Sequence, residues 1–253
     1  MIEDQPLAPV PPAEPPAVPP VTAPERWPFW GYSDVAVFVG LFLASALAGA
    51  FVGNVLIALF HIPKGLSALL VQSLIYVLSF SALALLFRIQ YDRGFWRSLG
   101  WTDLRLSPVL IVGLGVATAL LVGFLGGLVR TPNTDNLITD MLADPRSRLF
   151  VVLFAITLAP LAEELIFRGF LQPLLVRSLG TALGILAAAL PFGLLHYQEY
   201  GNEWRHALLV ALAGAAFGWM RQRTGSTKAC TLMHASYNAF ELFAYFAQKE
   251  LTH

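Results

Sequence analysis

Three short blocks of this chain hold side chains that can move protons or steady a developing charge. They are Glu163-Glu164-Leu165-Ile166-Phe167-Arg168, Phe192-Gly193-Leu194-Leu195-His196 and His234-Ala235-Ser236-Tyr237-Asn238. Each sets a pair four residues apart, so on a helix Arg168 shares a face with Glu164, His196 with Phe192, and Asn238 with His234. Neighbouring helix positions diverge by about 100°, so Glu163 and Glu164 cannot serve the same point. One can face a cavity while Arg168 fixes the other. A carboxylate placed that way can take a proton from water as general base. An imidazole opposite can orient the water or protonate a leaving amine. A second imidazole with a carboxamide on one face offers donors to an oxyanion. The combination reads as hydrolysis of an amide by activated water.

The setting makes these residues conspicuous. The first block interrupts a run from Leu149 to Val176 that is otherwise almost wholly apolar. A charge at the centre of a membrane helix costs roughly 2.5–3.5 kcal/mol. Packing alone gives no reason to place three together.

Hydrophobic residues make up 57% of the chain and charged residues only 13%, against about 25% charged in a soluble domain. The apolar residues gather in blocks of roughly 20, the length that crosses a bilayer. The expected class is therefore an all-α, polytopic membrane bundle of about seven to eight helices. Its expected partners are membrane lipids and a peptide or membrane-protein substrate. A formal net charge of +0 gives no ground for a nucleic-acid partner. The single cysteine, Cys230, excludes an intramolecular disulfide and a cysteine-rich metal site.

Residues 1–28 hold ten prolines and are expected to form an extended, solvated, Pro-rich tail without a core. An aromatic cluster of Trp27, Phe29, Trp30 and Tyr32 follows, of the kind found at membrane interfaces. Seven spans are expected at about 35–60, 67–88, 108–129, 149–178, 181–197, 206–222 and 228–247, with a surface segment at Asn136–Asp144. Residues 29–148 would supply the N-terminal membrane helices and 149–247 the catalytic core of the same domain. The fourth span is too long to be one straight crossing, so a bend is expected near Pro160 or Pro173. The fifth and sixth are short and are expected to lie against protein more than lipid. Alternating loops place nine basic residues on the side of the N-terminus and six opposite, which favours a cytoplasmic N-terminus. The expected location is a bacterial cell membrane.

These spans can bring the blocks together. Glu163 lies 16 residues before Leu179, and His196 lies 16 residues after Gly180. In an antiparallel hairpin turning at Leu179 and Gly180 the two come level. His234 stands nine residues after Gly225, near the same depth.

Taken singly, each block has a plainer reading. Glu164 and Arg168 suit a helix-stabilising ion pair, His196 a hydrogen-bonded interior histidine, and Phe192 simple packing. His234 and Asn238 suit interhelical hydrogen bonding. Two non-hydrolytic functions also fit: an immunity or scaffold protein that binds peptides without cutting them, and a proton-coupled transporter. The latter lacks repeated halves with broken helices.

At these residues the chain resembles the CPBP family of intramembrane proteases, which includes the type II CAAX prenyl endopeptidases and the Abi proteins. The family pattern is Glu-Glu-x-x-x-Arg, then Phe-x-x-x-His, then His-x-x-x-Asn or Asp. It is matched in order by Glu163-Glu164 with Arg168, Phe192 with His196, and His234 with Asn238. The resemblance spans about residues 149–242 and implies a helical membrane fold with a water-accessible cavity. It implies that Glu163 and His196 activate water, that His234 and Asn238 stabilise the oxyanion, and that Glu164, Arg168 and Phe192 support them. A cofactor-free glutamate mechanism is favoured. Glu163, His196 and His234 would also suit Zn²⁺.

Overall fold

The computed structural model describes residues 27–132 and 137–251. The Pro-rich tail up to residue 26 lies outside the described residues. Among those described there are nine helices and no strand. They are α1 (Tyr32–Phe60), α2 (Lys64–Tyr91), α3 (Phe95–Ser98), α4 (Pro108–Leu128), α5 (Leu137–Ala143), α6 (Pro145–Leu179), α7 (Thr181–Leu195), α8 (Trp204–Thr224) and α9 (Thr227–Leu251). Seven are long and correspond to the seven expected spans. The short α5 falls on the expected surface segment, but its Met141 and Leu142 are buried. Four helices, α1, α2, α4 and α6, are long and apolar enough to cross a bilayer.

Local chemistry explains the boundaries. Asp144 caps α6 by accepting from the Arg146 N–H at 3.0 Å, with Pro145 in the first turn, where its missing N–H costs nothing. Gly180, at φ 81°, makes the tight turn from α6 into α7. Glu203 caps α8, and Gly225 closes it at φ 68°. α1 packs on α2, α7 lies between α6 and α8, and α4 lies along α9. The expectation that the two short spans lie mainly against protein holds for only part of α7. One stripe of it, Leu183, Leu186, Leu190 and Leu194, faces outward.

α6 is irregular in two places. At Thr157 the chain adopts φ −130° and ψ −79°, three residues before Pro160. The proline ring clashes with the carbonyl four residues earlier and lacks a donor, so the helix restarts. Side chains take up two carbonyls near the break. Thr157 Oγ1 donates to Leu153 O at 2.5 Å, and Asn238 Nδ2 donates to Ala155 O at 2.8 Å. Further on, Leu165–Leu171 is a π turn, ending just before Pro173.

The aromatic cluster before α1 is only partly interfacial. Trp27 and Tyr32 are exposed, but Trp30 is fully buried against Phe87 and Phe170.

Candidate active site

α6 carries a polar stripe of Glu164, Arg168 and Gln172, all completely buried. It faces α8, where Gly214 and Gly218 leave their carbonyls accessible. Arg168 Nη2 donates to Gly214 O at 2.7 Å, and Gln172 Nε2 donates to Gly218 O at 2.9 Å. A Cβ on Gly214 would lie 2.9 Å from Arg168 Nη2 and 2.8 Å from the Phe192 ring, so only glycine permits this approach. The pair Gly214 and Gly218, four apart, was a readable sign of a close helix contact.

Glu164 Oε1 is shared by two donors, Arg168 Nη1 at 2.9 Å and His234 Nδ1 at 2.9 Å. Glu164 therefore does more than pair with Arg168. It fixes the orientation of the His234 ring, a link of the kind that holds functional imidazoles in one tautomer. Phe217 stacks on that ring, with centroids 4.6 Å apart and planes at 21°. With Nδ1 held, Nε2 points the other way, and it lies 3.8 Å from Glu163 Oε2. The Glu163 side chain is 21% exposed, whereas that of Glu164 is sealed. The expected division between adjacent glutamates is realised, Glu163 towards open space and Glu164 inward.

Phe192 touches most of this set. The Arg168 guanidinium lies 4.4 Å from its ring centroid. Its ring stands 4.9 Å from that of His196 and 5.8 Å from that of His234. Beyond packing, it offers its π face to a buried cation and separates two imidazoles. His196 caps α7, and its Nδ1–H donates to the Phe192 carbonyl at 2.8 Å. This leaves Nε2 free on a half-buried ring.

Asn238 lies one helical turn beyond His234, but one N–H is committed to the Ala155 carbonyl beside the helix break. Sequence reasoning placed this amide at an oxyanion and missed its backbone partner. The sequence reading also took Tyr197, Gln198, Glu199 and Tyr200, just beyond His196, for a solvated loop, whereas Glu199 is half-buried. Burial raises the Glu199 carboxyl above its ordinary value of 4.5, the neighbouring His196 acts to lower it, and the Glu163 charge raises it further. Glu199 thus belongs electrostatically with both. An open apolar groove of about 350 Å³ between α2 and α6 is lined by Leu69, Ser73, Phe150, Phe154 and Thr157, among others.

The donor set does not gather as a metal site. Among the described residues, no three His, Cys, Asp or Glu side chains lie close enough to hold a metal ion. Glu163 and His234 approach each other without a third donor, so no step is assigned to a metal.

A bundle of apolar helices around a sealed Glu–Arg–His network defines an integral membrane protein with a polar site in its core. Residues 145–240, from α6 into α9, match the family described as type II CAAX prenyl endopeptidase Rce1-like. All seven predicted site residues fall within this segment. No curated protein matches the chain, and no solved structure does.

Proposed function

We propose that the protein is an intramembrane endopeptidase that hydrolyses a peptide bond with water activated by Glu163. The observation that carries this reading is the 3.8 Å approach of Glu163 Oε2 to His234 Nε2, with His234 held from behind by Glu164. A water about 2.8 Å from Glu163 Oε2 could donate an O–H to it, directing a lone pair outward. As the water oxygen attacks the scissile carbonyl carbon, Glu163 takes one of its protons.

When His234 carries both ring protons, Nδ1–H goes to Glu164 and Nε2–H is presented to the oxyanion. The second amide N–H of Asn238 joins it. His196 Nε2, free because Nδ1 is satisfied, helps orient the water. The proton gathered by Glu163 then passes to the departing amine, and the peptide bond breaks into an acid and an amine. The groove between α2 and α6 suits an apolar, membrane-associated part of the substrate arriving from the lipid side.

The test is comparative membrane proteomics of cells carrying the parent or Glu163→Gln. Fragments cut near the membrane should be present with the parent and absent with the variant. Identical fragment sets, with the variant folded and in the membrane, would instead favour a protein that binds peptides without cutting them.

A further inference from the structure

The π turn of α6 is held by two side chains from elsewhere in the fold, Arg221 of α8 within the matched segment and Trp30 far before it. In a π register the N–H of residue i bonds to the carbonyl five residues back, and the Gln172 N–H does reach Phe167 O. The next donor in that register would be residue 173, a proline without an N–H. The Arg168 carbonyl is thereby left without its backbone partner, and Arg221 Nε of α8 donates to it at 3.1 Å. Two residues on, Trp30 Nε1 donates to Phe170 O at 3.0 Å, across 140 positions of sequence.

Trp30 is itself fixed. Its ring stacks on Phe170, with centroids 5.5 Å apart, and on Phe87, at 5.3 Å. Arg177, in the last turn of α6, donates through Nη1 to the Pro28 carbonyl and through Nη2 to Trp30 O at 3.2 Å. The Arg221 guanidinium lies 5.4 Å from the Trp27 ring centroid. The four residues Trp27–Trp30 therefore engage both the π turn and the arginine that completes it.

The register of this turn decides which way Glu163 and Glu164 face. Reverting it to α geometry would remove a one-residue offset and rotate the preceding segment by about 100° relative to the following one. That is the angle separating the two glutamates. We propose that Trp30 and Arg221 are positioning residues for the hydrolysis: they hold the π register, which sets Arg168 and through it Glu164 and His234. This inference rests on the hydrolase reading for its effect on rate, but not for its effect on geometry.

The experiment uses the full chain in detergent micelles, with two readouts. One is turnover and KM, and the other is the ¹⁵N resonance of His234 Nδ1. Trp30→Phe keeps the ring stack and removes the N–H. Arg221→Leu removes the other donor, while Arg221→Gln retains one. Trp30→Phe and Arg221→Leu are each expected to lower kcat on the order of tenfold with KM unchanged, and to move the His234 resonance. Arg221→Gln should restore both towards the parent. A His234 resonance unmoved in Trp30→Phe and in Arg221→Leu overturns the proposal. If the parent itself cleaves nothing, the hydrolase reading fails and the resonance alone decides this one. Should Arg221→Leu not fold, Trp30→Phe set against Arg221→Gln gives the same decision.

Discussion

Glu164 and His234 meet through a 2.9 Å hydrogen bond across 70 positions of sequence, and the other nitrogen of that imidazole faces Glu163 at 3.8 Å. Two adjacent carboxylates thus address opposite sides of one ring. Glu164 is buried with a guanidinium partner, so its charge is structural as well as orienting. Glu163 is the one that is not sealed, its side chain 21% exposed.

The two glutamates should consequently separate in their effects. Glu164→Gln leaves Arg168 buried without a counter-charge, and breaking such a pair costs about 3–5 kcal/mol. Thermal unfolding in detergent should show a marked fall for Glu164→Gln and little change for Glu163→Gln. Equal stability losses would mean that Glu163 is structural too.

Much of this was legible in the sequence. The seven long helices follow from blocks of apolar residues, and the hairpin turn falls at Gly180, where counting placed it. Spacing of four placed Arg168 on Glu164. Spacing cannot reveal a partner on another helix, so the Glu164–His234 bond escaped. It was equally silent on which carbonyls a proline would free. That is why Asn238 was assigned to an oxyanion without its bond to Ala155, and Trp30 to an interface without its bond to Phe170.

Gly214→Ala tests the contact between α6 and α8. The added methyl would lie within 3 Å of both Arg168 and Phe192. Overpacking of this kind costs about 1–3 kcal/mol. The variant should melt lower and lose turnover, because Arg168 must give up the Gly214 carbonyl or shift Phe192 towards the imidazoles. A fully active, equally stable variant would show that the contact is looser than described.

Glu199 gives the protein a pH signature. Its carboxyl is raised above 4.5 chiefly by burial, so the folded chain holds this proton more tightly than the unfolded one. The stability it contributes is complete below 4.5 and is lost as pH rises through the folded value. Glu199→Gln cannot ionise, so its stability should decline less than the parent's across that window. Melting temperature followed against pH checks this. Parallel curves would remove Glu199 from the account.

Chelation addresses the donor set. Because no three candidate ligands gather among the described residues, incubating purified protein with a strong zinc chelator and then removing the chelator should leave the cleavage rate unchanged. Loss of activity restored by added Zn²⁺ would require Glu163, His196 and His234 to converge during turnover.

The most direct measurement is single-turnover cleavage of a membrane-associated peptide by purified parent and Glu163→Gln, reconstituted in bilayers at matched amounts of folded protein. Loss of a general base predicts a rate lower by on the order of 10²–10⁴ with peptide binding preserved. Cleavage by Glu163→Gln at the parental rate would contradict the assignment of Glu163 as the group that activates water.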